Sequence, residues 1–226
     1  MNALAEEARR RWKVDVHVLP ADLADPATPQ HLHDQLVDAG VTVDALVNNA
    51  GYGQVAQFLA SPRAAHATFL QVMLTAVVDL THRFLGPMVD RGYGRIINVA
   101  SLAGLVPATA GHTLYAPTKA FLIKFSQSLA LEVRNHGVMV TALCPGLTYS
   151  EFHDVSGTRD VVKQVPRWMW LDADAVARQG FEAVMRGQSI YVNGRVNQTI
   201  AFLMRHLPDS LMSYVTQEYS RKYRRL

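Results

Sequence analysis

Short β-branched and apolar runs alternate along the chain with longer stretches whose apolar positions recur at helical spacing. Residues 14–19, Val-Asp-Val-His-Val-Leu, read as a strand. Residues 43–47 read as another, entered from a Gly40 suited to ending a helix. Residues 95–100 and 138–143 read as two more, with 189–192 a weaker fifth. Helical patterns fill 29–38, 62–91, 112–135 and 172–186, and a further one covers 196–225, interrupted at Pro208. This order predicts an α/β fold with parallel strands joined by crossover helices. The runs around Ile96-Ile97 and over 138–143 are almost continuously apolar, as expected where helices cover both sheet faces.

Composition narrows the picture. Of 226 residues, 49% are apolar and 18% charged, enough for a sizeable core and too little charge for a disordered chain. No linker or repeat divides the sequence, so one domain over 1–226 is expected. Twenty-two basic residues against 19 acidic ones leave a net charge of +3, which predicts no extended nucleic-acid surface. The basic runs Arg9-Arg10-Arg11 and Arg221-Lys222 with Arg224-Arg225 read as solvated helix faces. One cysteine, Cys144, excludes an internal disulfide framework, and the nine histidines show no metal-ligand spacing. His82, His112 and His136 read as surface or helix-end residues. No uninterrupted apolar stretch reaches the roughly 18 to 20 residues of a membrane span, and the first 13 residues carry too much charge for a secretory signal. These features predict a cytoplasmic protein without a membrane span.

In an open α/β sheet, ligands gather beyond the carboxyl ends of the strands. Several unusual residues stand there. Tyr115 and Lys119, four apart, share one helical face, and a phenol beside an ammonium can donate and accept a proton. The bare spacing arises by chance about one time in five, and bringing a phenol from about 10 to near 7 needs roughly 4 kcal/mol. Lys119 alone does not supply that; partial burial and a second positive charge are required. Ser101 follows the strand at 95–100 and can hydrogen-bond a substrate oxygen or cap a turn. In Asn48-Asn49-Ala50-Gly51, small residues let a flat ligand approach the backbone and Asn49 can tie adjacent strands together, or the segment is an ordinary turn. Asp22 can accept from an adenine amino group or cap a turn before Pro26. Pro145-Gly146 redirects the chain after Cys144 and exposes backbone groups, or is loop punctuation.

Taken together, these pieces resemble the short-chain dehydrogenase/reductase family from about Ala3 to about Val192. The likeness is carried by Asp22-Leu23, Asn48-Asn49-Ala50-Gly51, Ile97-Asn98-Val99-Ala100-Ser101, Tyr115-Ala116-Pro117-Thr118-Lys119 and Pro145-Gly146. The resemblance implies a Rossmann-like doubly wound parallel sheet and hydride transfer between NADP or NAD and a carbonyl or alcohol. It implies Tyr115 as general acid/base, Lys119 as the residue that holds the nicotinamide ribose and lowers the tyrosine's pKa, and Ser101 as the group that positions the substrate oxygen. It further implies a cofactor site lined by Asp22, Leu23, Asn49, Ala50, Gly51, Tyr115, Lys119, Pro145, Gly146 and Thr148, with no metal.

Two departures qualify the likeness. The family opens with a strand, a TGxxxGxG turn and a helix that receives the pyrophosphate, whereas residues 2–13 resemble the helix that precedes the third strand. The expectation is an N-terminally truncated member missing the first βαβ portion, roughly 30 residues or more. Secondly, Met73 stands where the family carries an asparagine that anchors a water in the proton relay, and a thioether cannot hold that water. A non-catalytic binding or interaction protein on the same scaffold is therefore the alternative reading. Residues 147–171, with Tyr149, Phe152, Trp168, Met169 and Trp170, correspond to the family's substrate lid. Its tryptophans suit an apolar substrate or pack a helix against the core. The long apolar-faced helices over 62–91 and 112–135 are those through which family members form homo-oligomers, and 195–226 is a C-terminal helical segment.

Overall fold

Four of the apolar runs pair side by side as a parallel sheet in the order β1–β2–β3–β6. The strands are β1 Ala45–Asn48, β2 Gly94–Val99, β3 Val138–Cys144 and β6 Ile190–Val192, while β4 Thr148–Tyr149 and β5 Leu171–Asp172 form a separate two-stranded ribbon. This is a computed structural model and it describes residues 1–157, 163 and 165–206. The helices are α1 Asn2–Trp12, α2 Thr28–Asp38, α3 Arg63–Leu70, α4 Ala76–Asp90, α5 Tyr115–Val133, α6 Phe152–Val155, α7 Ala173–Met185 and α8 Arg195–His206. The parallel, helix-flanked sheet is the α/β arrangement expected from the alternating pattern, and the Rossmann-like one that the family resemblance implies.

Side chains alternate across the sheet with the two-residue period of a strand. Ile96, Val138 and Val140 face α4 and α5, where they meet Leu80, Phe84, Met88 and Val133. Further along the same face, Ala142 and Cys144 pack with Val77, Leu122 and Ile123. The opposite face presents Ile97 and Leu143 to Val184 of α7. Each large aliphatic side chain buried this way contributes about 1.5 to 3 kcal/mol. Val47, paired with Ile97 on that second face, is 55% exposed, so the α7 side of β1 is bare among the described residues.

Helix α5 shows why the stripe forms. Ala116, Lys119, Leu122, Ile123 and Ser126 follow helical spacing and are all buried against β2 and β3, so Lys119 is carried inward by its apolar neighbours. The next turn ends at Gly137, whose φ of 72° and closeness to the Gly92 carbonyl admit no Cβ at the entry to β3. Helices α3 and α4 are joined by a π-helical turn, Gln71–Thr75, into one continuous helix. By length and composition that helix could cross a membrane. Here Val72, Met73, Ala76, Val77, Leu80, Phe84 and Met88 bury one face of it against the core.

One expected strand does not form. Residues 14–19 run without a ladder partner among the described residues, and Val14, Asp15 and His17 are exposed. A β-branched run becomes a strand only where a neighbour satisfies its N–H and C=O groups. Here the Val16 carbonyl instead accepts from the Arg9 guanidinium. Elsewhere the ends shift by one to three residues, and the expected 196–225 helix is described only as far as His206, so its part around Pro208 lies outside the described residues.

Candidate active site

All four strands of the main sheet point their carboxyl ends the same way, and the loops that follow form one rim. Backbone bonds knit it: Leu102 N–H donates to the Pro145 carbonyl at 2.9 Å, and Asn193 N–H to the Cys144 carbonyl at 3.4 Å. The first turn of α5 starts beside this rim, which is how a serine after β2 and a tyrosine 14 residues later meet.

Ser101, Tyr115 and Lys119 are brought together. The Ser101 side chain lies close enough to the Tyr115 phenol to pull its pKa down. Lys119 Nζ lies over the Tyr115 ring, 5.7 Å from its centroid, and donates to the Val99 carbonyl at 2.7 Å. Ser101 also performs the blander role foreseen for it, its Oγ accepting from Ala103 N–H at 3.1 Å. Burial pushes the Tyr115 phenol above its ordinary value of 10.0, against the opposing pull of Ser101. Burial also drags Lys119 down to about 8, with neighbouring Cys144 acting weakly the other way. The Cys144 thiol is itself pushed up to about 12 by burial. The phenol is thus not acidic in the protein alone, because desolvation outweighs the pull of Ser101.

The expected cofactor-lining residues divide into two sets. Asn49, Ala50 and Gly51 are exposed on the rim, and Gly51 backs onto the Met73 thioether, 2.9 Å from where a Cβ would stand. Gly146 backs onto the Asn197 carboxamide with no room for a side chain. Burial raises the Tyr52 phenol, and the charge of Asp22 adds to that shift. The carboxylate also caps its own turn, accepting from Ala24 N–H at 2.9 Å. Leu23 instead turns its side chain into the core, and the Thr148 hydroxyl donates to the Gly146 carbonyl at 3.0 Å.

The strand-tying role expected of Asn49 belongs to Asn48. Its Nδ2 donates to Asn98 Oδ1 at 2.8 Å and to Thr81 Oγ1 at 3.1 Å, and Asn98 Nδ2 continues to Ser126 Oγ at 2.9 Å. Alternation decides it: residue 48 points to the α4–α5 face and is buried, and residue 49 lies beyond the strand end. His112, expected at a surface or helix end, stands just before α5 half-buried, its ring 6.3 Å from that of Tyr115 and its pKa lowered by burial. Of the two tryptophans after Pro166, Trp168 is exposed and Trp170 stacks on Tyr149 at 4.8 Å. Trp170 also meets buried His153 of the short helix α6 at 5.3 Å, a contact of the helix-packing kind. No sequence pattern groups Gly53, Phe152 and Ser156, yet they meet: Gly53 N–H donates to Ser156 Oγ at 2.8 Å, and the Phe152 ring lies 5.9 Å from that of Tyr115.

Comparison with known proteins fits this geometry. The profile of the short chain dehydrogenase family matches residues 1–159. Nodulation protein G of Rhizobium sp. is 33% identical over 188 residues, covering 79% of this chain and 76% of that protein. Sulfoacetaldehyde reductase of Chromohalobacter salexigens is 34% identical over 154 residues, 67% of this chain and 60% of that protein. Among solved structures, a short-chain dehydrogenase from Sphingobium yanoikuyae in complex with NADPH superposes with a TM-score of 0.77 at 26% identity, over 92% of this chain and 82% of that one. The chain belongs to the short-chain dehydrogenase/reductase family and is an NAD(P)-dependent oxidoreductase of carbonyl and alcohol groups.

Proposed function

We propose that Ser101, Tyr115 and Lys119 carry out the proton side of this reaction at the carboxyl ends of β2 and β3. The observation that carries the reading is Lys119 Nζ, anchored by the Val99 carbonyl, lying over the Tyr115 ring with Ser101 beside the same phenol. Ser101 orients the substrate oxygen and Tyr115 O–H donates its proton to that oxygen as the carbonyl becomes an alcohol; in oxidation the phenolate takes it back. Bound nicotinamide supplies or accepts the hydride. Lys119, still largely protonated at neutral pH with a pKa of about 8, offsets the negative charge left on the phenolate oxygen. Its ammonium is held in place by the Val99 carbonyl. The residues that would hold the dinucleotide are Asp22, Asn49, Ala50, Gly51, Pro145 and Gly146 on the rim, with Leu23 and Thr148 acting through their backbone. The exposure of Asn49, Ala50 and Gly51 on the rim supports this placement.

Two finer statements complete the proposal. Phe152 beside the phenol, with Tyr149 stacked on Trp170 further along the same segment, supports an apolar carbonyl substrate within a lid over 147–171, of which residues 158–162 and 164 lie outside the described structure. Leu74, Val78 and Phe121 line a shallow groove of about 610 Å³ on the outer side of α4 and α5, which supports a homo-oligomer assembled through these helices.

The test is Tyr115→Phe, assayed for NADPH- and NADH-dependent reduction of a panel of aldehydes and ketones. Turnover is expected to fall by roughly 10² to 10⁴ with an unchanged circular dichroism spectrum. An unaltered rate refutes the role of the phenol, and no turnover by the unmodified chain in the presence of measurable dinucleotide binding points to a binding protein instead.

A further inference from the structure

We infer that Phe152 sets the size of ketone the site admits, selecting a carbonyl with one small and one flat apolar substituent. This deepens the reading of Tyr115 as proton donor and rests on it. Helix α6 begins at Phe152 and ends against Ser156, four residues on, so both side chains lie on one helical face. That face reaches across the crevice. On one side the Phe152 ring meets Tyr115, centroids 5.9 Å apart with the planes at 47°. On the other, Ser156 Oγ accepts from Gly53 N–H at 2.8 Å, and the tip of the Phe152 ring faces the Gly53 Cα, 3.4 Å from where a Cβ would be.

Gly53 follows the loop after β1, and Tyr115 opens α5, so these are the two walls of the same opening. Phe152 spans it. Behind the ring, His153 meets it edge-on at 5.5 Å, Trp170 meets His153 at 5.3 Å, and Tyr149 stacks on Trp170 at 4.8 Å. The β4–β5 ribbon fixes the two arms that carry Tyr149 and Trp170, pairing Tyr149 with Asp172. A ring backed this way retreats little. A small group passes beneath it to the phenol, a flat apolar group stacks on its face, and a second bulky group collides with it. Gly53 belongs to the same device, because any side chain there meets Ser156 Oγ at 2.9 Å and drives α6 outwards.

The experiment compares acetophenone and benzophenone with the unmodified chain, Phe152→Ala and Phe152→Leu, reading kcat/KM with NADPH and the equilibrium Kd of each ketone by calorimetry. Phe152→Leu keeps apolar bulk and removes the flat ring, so it serves where the alanine form does not fold. Removal of the ring is expected to raise the benzophenone-to-acetophenone kcat/KM ratio about tenfold or more, with a matching tightening of benzophenone Kd. Turnover with an unchanged ratio and unchanged Kd in both variants overturns the inference. Absence of turnover in every form, with benzophenone binding still tightened, sinks the proton-donor reading of Tyr115 and leaves the size limit standing. Absence of both overturns both.

Discussion

Replacing Lys119 with methionine gives a test in which stability and turnover move in opposite directions with pH. Burial lowers the folded-state pKa of Lys119 from 10.5 to about 8, so the unfolded chain binds this proton more tightly than the native one. Below about pH 8 the native state carries the full cost of a buried ammonium. As pH rises from about 8 towards 10.5 the native lysine is neutral while the unfolded one is charged, and stability increases. At about 1.4 kcal/mol per pKa unit the whole effect is about 3 kcal/mol, and about 2 kcal/mol of it is recovered between about pH 7 and pH 9.5. Cys144 opposes it, since a thiol held at about 12 loses stability as pH climbs above its ordinary 9.0. The comparison is therefore made in a Cys144→Ala background, by urea unfolding with and without the Lys119→Met substitution across that range. The difference in unfolding free energy is expected to shift by about 2 kcal/mol in favour of the lysine form. Reductase turnover, which needs the ammonium, declines above about pH 8 over the same range. A pH-independent difference, or one that moves against lysine, refutes the burial argument.

Two further outcomes follow from the packing. Asn98→Ala leaves Asn48 Nδ2 without its 2.8 Å acceptor and Ser126 Oγ without its 2.9 Å donor inside the core, so chemical denaturation is expected to show a loss of about 2 to 4 kcal/mol. A loss under about 0.5 kcal/mol would show the network to be dispensable. Phe121→Asp places a carboxylate in the outer α4–α5 groove, and light scattering is expected to show a shift from oligomer to monomer. An unchanged mass places the interface elsewhere.

How much of this was readable from the residues depends on how local each signal is. The runs that became β2 and β3 are apolar on both faces, and that pattern survives any detail of packing. The Val14 to Leu19 run has equally good strand residues but no neighbour among the described ones, and pairing is not written in a strand's own sequence. Tyr115 and Lys119 were legible because helical spacing alone puts them together, and Ser101 because it closes a strand. Asn48 and Asn49 differ only in which side of the sheet each faces, and a one-residue offset in the strand reverses that choice. The meeting of Gly53 with Ser156 joins positions 103 residues apart, and no periodicity announces it.

The wide turn between α3 and α4 carries a consequence for sequence length. A π-turn from Gln71 to Thr75 holds one more residue than an α-helical turn, and that residue is accommodated in the middle of a helix already packed on the sheet. Removing a single residue there lets the backbone relax to ordinary i to i−4 bonding while Phe69 before it and Leu80 after it keep their buried neighbours. Deletion elsewhere along the same helix rotates one half by about 100° and turns its apolar stripe to solvent. This helix therefore has one place where it can shorten without losing its seat.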